Sequence, residues 1–417
     1  SMKLRKKWAI PTIRNISAAY FERKPECRRM SFVISEEKNQ MKTEPQGLKR
    51  NGAEKERVSA MKLGIGLYRH MLTPDYFQFA RQCGCTHLII HLANYYSKER
   101  GIVTATDEKS NYGASVKDDP IWDLENLLAI KKQASEYGLE IYGIENFSPA
   151  DWYDVLLAGP ERDQQIELCK RMIRNAGKAG IRAFGYNFSI AGVWGHQKKK
   201  AARGGAISTC FDASLLDINA PIPNGEVWNM TYAASDGGFV APVSQEELWE
   251  RLFYFLERIL PAAEESGVEM ALHPDDPPMP ELRRTARLVY KPELYQKLID
   301  WNKSSSNKLE LCLGSLQEMQ SERPIYEYLD TYLAQNRVSY IHFRNVKGKV
   351  PCYDEVFVDE GDIDMLRVIR QLKAHRFEGV LIPDHTPLMN CASSWHAGMA
   401  YALGYMRAAI QAVNEED

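Results

Sequence analysis

From residue 61 onward the chain alternates between two hydrophobic periods. Short apolar, β-branched runs are followed by longer stretches in which apolar residues recur every three or four positions, the pattern of an amphipathic helix. The strands predicted are 62–68, 86–92, 140–146, 183–188, 269–274, 308–314, 338–346 and 379–385, eight in all. The helix patterns among them include 163–180, 245–267, 292–301, 324–336 and 363–377, and a last one covers 396–414. Gly138, Gly180, Gly267 and Gly379 each stand between a helix pattern and the next apolar run. Such a glycine can end a helix in the left-handed conformation.

Runs such as Thr86-His-Leu-Ile-Ile-His-Leu92 are apolar on both faces. That is the signature of strands covered on both sides, hence of a parallel sheet. Eight consecutive βα units predict a closed (β/α)8 barrel. A doubly wound open sheet is the alternative, but it expects a Gly-rich phosphate loop after its first strand. Here Gly64-Ile-Gly66 is followed by Leu-Tyr-Arg-His, with no third glycine.

The barrel is assigned to residues 61–417, and residues 1–60 differ from it in composition. They hold 15 Lys and Arg against 7 Glu and no Asp, so this stretch carries +8 while the whole chain carries −2. Residues 36–57 are polar and hold almost nothing to bury, which predicts a disordered or irregular N-terminal extension. Over the full chain, 53 Lys and Arg balance 55 Asp and Glu, which is no footprint for nucleic acid or an anionic membrane. No apolar run approaches the length of a membrane span. Eight scattered cysteines in 417 residues do not make a disulfide scaffold, so a reducing compartment, the cytoplasm, is expected.

Two connections, 93–124 and 189–244, are too long for plain βα loops. They follow strands two and four, so in a barrel they lie on the active-site face, where long loops serve as lids or walls. The run Lys198-Lys199-Lys200 in the second reads as a solvated stretch.

The residues that end the later strands carry the chemistry. Strand five ends in His273, strand six carries Cys312, strand seven His342, and strand eight Asp384-His385. Taken singly, each has a plainer reading: a hydrogen-bonded core histidine, a small buried thiol, a helix-capping aspartate. Together, four metal-type ligands at equivalent positions on neighbouring strands about 4.8 Å apart point to one ion. Two imidazoles, a thiolate and a carboxylate suit a transition metal better than Mg²⁺ or Ca²⁺. Asp275 and Asp276, in His273-Pro-Asp-Asp-Pro-Pro278, could orient a ligand histidine or simply solvate a loop. His385 is the general acid or base expected at the mouth. Arg344 and Lys347, close behind His342, are expected to grip a substrate anion. Cys83-Gly-Cys85, His87 and His91 read as structural.

These motifs, in this order, resemble the mannonate dehydratase family: His-Pro-Asp-Asp-Pro-Pro at 273–278, Cys-Leu-Gly-Ser at 312–315, His-Phe-Arg-Asn-Val at 342–346 and Asp-His at 384–385. Arg162-Asp-Gln, Ile173-Arg-Asn and Tyr186-Asn-Phe188 resemble it as well, and the likeness spans about 61–412. It implies a xylose-isomerase-like barrel that removes water from D-mannonate to give 2-keto-3-deoxy-D-gluconate in hexuronate breakdown. It implies Mn²⁺ or Fe²⁺ on His273, Cys312, His342 and Asp384, with His385 essential. Asn187, in the Tyr-Asn-Phe motif, joins Arg344, Lys347 and His396 as an expected substrate-binding residue. The family carries a Gly-Tyr on the loop after Asp-His. Here that loop, Thr386 to Gly398, has no tyrosine, and Trp395 or His396 stands nearest the position.

The chemistry expected is β-elimination. A cation stabilises the charge that develops next to the carboxylate, a base takes the C2 proton, and the C3 hydroxyl leaves. His385 is assigned one proton transfer, Arg344 a carboxylate clamp, and His396 is the candidate for the second transfer. A metal-dependent isomerase or epimerase is the rival, kept by Glu145 at the end of strand three and opposed by Cys312. A sugar-acid-binding protein without turnover is the other rival, kept by the missing tyrosine. The partner expected is a small sugar acid, and assembly into a homo-oligomer is left open.

Overall fold

The computed structural model describes residues 61–95, 115 and 117–416. The basic segment 1–60 and its expected disorder lie outside the described residues, as does most of the connection after strand two. Eight parallel strands close into a barrel in chain order: Lys62–Tyr68, His87–His91, Glu140–Glu145, Ala183–Tyr186, Glu269–Leu272, Asn307–Cys312, Val338–His342 and Val380–Ile382. Each falls on one of the eight apolar runs. Among the described residues no helix is long and apolar enough to cross a membrane.

The strands lack polar–apolar alternation because both of their faces are buried. One face points into the barrel, where Ile89, Tyr142, Ala183, Ala271, Tyr340, Val380 and Ile382 pack as a plug. The other meets the helices, through residues such as Leu88, Ile90, Phe184, Leu311 and Leu381. Register then sets the rim. Cys312 lies beside His342, and His342 beside Ile382, so strands six to eight end at one height.

The helix Gln245–Ser266 shows how the sequence fixes an element. Ser244 Oγ accepts from the Glu247 amide at 3.2 Å, and the Glu247 carboxylate accepts from the Ser244 amide at 2.8 Å. Such a capping pair is worth about 1 kcal/mol. Leu248, Leu252, Phe255, Leu256 and Ile259 form its buried stripe, and Gly267, at φ 65°, ends it. Gly138 and Gly180 repeat the device, both at φ 69°. The fourth expected case differs. After the helix Met365–Ala374 the left-handed position is Arg376, at φ 52°. Gly379 is instead required by space, since a Cβ there would collide with the Ser339 carbonyl oxygen.

Two excursions from the rim pair with each other. Gln197–Ala202 and Ala206–Asp212, after strand four, join Asn345–Lys349 and Cys352–Val356, after strand seven, in one four-stranded antiparallel sheet. The seventh apolar run therefore splits, with the barrel strand ending at His342 and the excursion starting at Asn345. Phe343 and Arg344 between them are both buried, so hydropathy does not mark the break. The lysine run lies on the edge strand Gln197–Ala202, with Lys198 and Lys200 exposed. Charged edges of this kind discourage pairing with other chains.

Candidate active site

The barrel mouth holds a cavity lined by polar and aromatic side chains, among them Tyr95, Asn187, Trp228 and His385. On its floor, one donor atom each from His273, Cys312 and His342 lies within 4.8 Å of the others. Asp384 Oδ2 is 3.3 Å from His342 Nδ1. Asp384 adopts φ 59°, a left-handed backbone that a non-glycine residue holds only where surrounding structure enforces it. The Nδ1–H of His273 donates to the Pro274 carbonyl at 2.6 Å, which leaves Nε2 to offer a lone pair. His342 Nε2 lies 2.9 Å from Glu310 and 3.2 Å from Glu145, so both carboxylates can accept its hydrogen. His342 Nδ1 is then a buried nitrogen without a hydrogen-bond partner. A carboxylate behind the imidazole and a bare nitrogen in front is the arrangement of metal-binding histidines. The donor set fits a transition-metal ion.

The two anionic donors carry the charge that such an ion needs. Burial alone would raise the Cys312 thiol, but the Arg344 guanidinium and hydrogen bonds from His273 and His342 bring it down to about 5. It is a thiolate at neutral pH, the form that binds metals. Burial also opposes the ionised form of Asp384, yet His342 and His385 hold its carboxyl well below the usual range. For His273, burial is outweighed by Glu310 and Cys312, which raise the imidazole to about 9, so an ion would have to displace a proton from Nε2.

Around this floor the predicted residues separate. His385 lines the cavity, its Nδ1 3.0 Å from a Glu355 oxygen. Burial disfavours its charged form, but Asp384 and Glu355 raise it to about 9. Asn187 also lines the cavity, accepting from the Trp228 indole at 3.3 Å and donating to the Pro274 carbonyl at 3.2 Å. Arg344 does not line it. Its buried guanidinium meets Glu318 at 2.6 Å, Asp384 at 3.2 Å and Glu355 at 3.6 Å, and pairs with Asp276. Gly314 makes room for it, since a Cβ there would run into the guanidinium. The structure thus assigns Arg344 to carboxylates of the protein rather than to a substrate anion. Lys347 is half-exposed and pairs with Glu360 at 2.9 Å, outside the cavity. His396 packs on Tyr76 and Phe79, with ring centroids at 5.4 and 4.8 Å, and neither it nor Trp395 lines the cavity.

Other residues take those places. Tyr68, His91, Tyr95 and Trp228 form a wall of the cavity. His91, read as structural from the sequence, lies 3.7 Å from Glu145 and packs on Tyr68 at 4.7 Å. Glu310 was not picked out, though it sits two residues before Cys312 and therefore on the same face. Of the paired aspartates, Asp275 serves Arg287 and the amides of Leu288 and Val289, while Asp276 reaches the cavity. His196, Tyr353 and Glu355 come from the excursions and carried no signal in the strand pattern.

Comparison with known proteins gives one family. Residues 96–415 match the sequence model of D-mannonate dehydratase (UxuA). The chain is 33% identical over 300 residues to a mannonate dehydratase of Streptococcus suis (strain 05ZYH33), an overlap of 69% of this chain and 78% of that one. It is 32% identical, with the same coverage, to a mannonate dehydratase of Streptococcus pneumoniae (strain 70585). The crystal structure of mannonate dehydratase from Streptococcus suis serotype 2 superposes with a TM-score of 0.67 at 28% identity, covering 85% of this chain and 93% of that one. An L-ribulose 3-epimerase, at 13% identity and a TM-score of 0.50 over 85% of this chain and 96% of its own, shares the fold.

Proposed function

Since the chain belongs to the D-mannonate dehydratase family, we infer that its barrel mouth removes water from an aldonate, D-mannonate, to give 2-keto-3-deoxy-D-gluconate. The enzyme is then a lyase of hexuronate breakdown. The observation that carries this reading is the floor of the cavity. His273, Cys312 and His342 converge there with Asp384 beside them, and His385 stands next to it held by Glu355.

His273, Cys312, His342 and Asp384 would hold the ion, Mn²⁺ or Fe²⁺. When bound, it supplies positive charge beside the substrate carboxylate and the oxyanion that develops at C1 and C2. The protein does the rest. Glu310 and Glu145 orient His342, and the Pro274 carbonyl orients His273. Arg344 braces Asp384 from behind at 3.2 Å. Tyr68, Tyr95 and Trp228 exclude water from one wall. His385 is assigned the proton transfer at C2, which it performs from its neutral form, favoured above about pH 9, and Glu355 steadies the imidazolium that results. Glu145, the residue that favours an isomerase, is committed beneath His342 to a supporting role. The cytoplasm suits this site, which needs Cys312 reduced, and Cys312 is a free thiol.

The test is turnover of a panel of aldonates by Mn²⁺- or Fe²⁺-loaded protein, scored for 2-keto-3-deoxy acids. D-Mannonate should give the fastest product formation. Preference for an aldose–ketose pair would replace this reading with isomerisation.

A further inference from the structure

Five imidazoles line the cavity. His273 and His342 are assigned to the ion, His385 to proton transfer, and His91 packs into the wall on Tyr68, which leaves His196, in the excursion after strand four, without a role. His196 and His385 reach the cavity from two ends of one cluster, since a ring nitrogen of His196 lies within 4.8 Å of the carboxylate of Glu355, which holds His385. Each is tethered through one ring nitrogen. For His385 the tether is Glu355. For His196, Nε2 lies 3.1 Å from Asp276 Oδ1 and 2.9 Å from the Tyr353 hydroxyl.

The hydrogen positions follow by counting. Tyr353 has a single hydroxyl proton and donates it to Asp276 Oδ1 at 2.8 Å. Its oxygen can therefore only accept from His196, so Nε2 carries the hydrogen. His196 Nδ1 makes no hydrogen bond among the described residues. It is the atom left to exchange protons with a bound molecule.

The two tethers are also one structure. Tyr353 and Glu355 are two apart on the strand Cys352–Val356 and so face the same side. One grips the His196 end and the other the His385 end. Between them Arg344 pairs with Asp276 and approaches Glu355 at 3.6 Å. Asp276, Arg344 and Glu355 thus link His196 to His385. His196, Asp276 and Glu355 also have metal-ligand spacing. The guanidinium of Arg344 already supplies the positive charge those carboxylates need, which argues against a second ion there.

We propose that His196 is the second proton-transfer residue of this cavity, delivering a proton from Nδ1 to the departing C3 hydroxyl. The proposal rests on the dehydratase reading. His385 adjoins Asp384 and so stands by the carboxylate end of the substrate, at C2. His196, at the other end of the cluster of Asp276, Arg344 and Glu355, serves the next carbon. The C2–H bond breaks and its proton goes to His385, while the electron pair forms the C2–C3 double bond. The C3–O bond breaks, and the hydroxyl takes the His196 proton and leaves as water. The enol then becomes a ketone at C2 and gains a proton at C3. Substrate equals product plus one water, and no oxidant or reductant is needed.

The test compares D-mannonate with 3-deoxy-3-fluoro-D-mannonate, whose fluoride leaves without needing a proton. His196→Asn should lower kcat on D-mannonate by about 100-fold or more while fluoride release stays within about threefold of wild type. His385→Asn should lose both reactions. Retained D-mannonate turnover in His196→Asn overturns the proposal, and so does equal loss on both compounds, which marks a structural role. If His196→Asn does not fold, His196→Gln removes the transferable proton and should show the same split, and a parallel loss on both compounds again overturns the proposal. Wild-type protein with metal bound that turns over no aldonate overturns the dehydratase reading itself, and the proposal with it.

Discussion

Glu355 Oε2 lies 3.0 Å from His385 Nδ1, and Glu355 sits on a strand outside the barrel. The imidazole assigned to the chemistry is thus positioned by an excursion, while the residues assigned to the metal are positioned by the barrel. The two functions are separable by mutation. Glu355→Gln keeps the shape but not the charge. It should lower kcat by about 10- to 100-fold and leave bound metal unchanged. Parallel metal analysis and steady-state kinetics check this, and loss of metal would contradict it.

Cys312→Ser replaces a thiolate with a hydroxyl that stays protonated. The protein should fold but hold well under one equivalent of Mn²⁺ or Fe²⁺ after desalting, because the anionic sulfur is the softest of the four donors. Elemental analysis decides. Full metal occupancy would remove Cys312 from the ligand set.

Arg344 touches or approaches four carboxylates in a buried nest, those of Asp276, Glu318, Glu355 and Asp384. Arg344→Met would strand them without a counter-charge. The expected loss of stability is about 3–5 kcal/mol, read by equilibrium denaturation. Arg344→Lys should rescue little, since a point charge cannot reproduce the fork. A substrate-clamping arginine would instead raise KM and leave stability nearly unchanged.

Asp151 gives a pH test away from the mouth. Burial raises its carboxyl to about 6, with one oxygen accepting the Asp118 amide at 3.0 Å and the other unpaired. Because the folded pKa lies above the unfolded value, the fold prefers the protonated acid. That stabilisation is complete below about pH 4 and is lost as pH rises through about 6. Relative to wild type, Asp151→Asn should gain about 2 kcal/mol between pH 4 and pH 8. A pH-independent difference would contradict the assignment.

The barrel was legible because its signal is local. Eight doubly buried strands and the helix-ending glycines repeat one pattern, and the rim ligands follow from where each strand stops. The excursion sheet was not legible. Gln197–Ala202 pairs with a strand next to it in sequence, but the sheet is completed by residues about 150 positions away, a pairing no local period reports. Glu355 and Tyr353 were lost with it. Arg344 was expected to grip a substrate anion, and its guanidinium instead meets four acids from other elements, which a sequence does not show. His396 failed for a plainer reason: the helix Ser394–Glu415 turns its ring onto Tyr76 and Phe79. His396→Ala should therefore cost stability and leave kcat/KM within about twofold, measured by thermal melting and initial rates.

The central claim is that this cavity dehydrates D-mannonate with a metal ion on its floor. Product formation followed by NMR in D₂O, with and without a chelator, tests it directly. The account predicts 2-keto-3-deoxy-D-gluconate carrying solvent deuterium at C3, formed only while metal is bound. Unchanged substrate from metal-loaded protein, or an isomer that has lost no water, would contradict it.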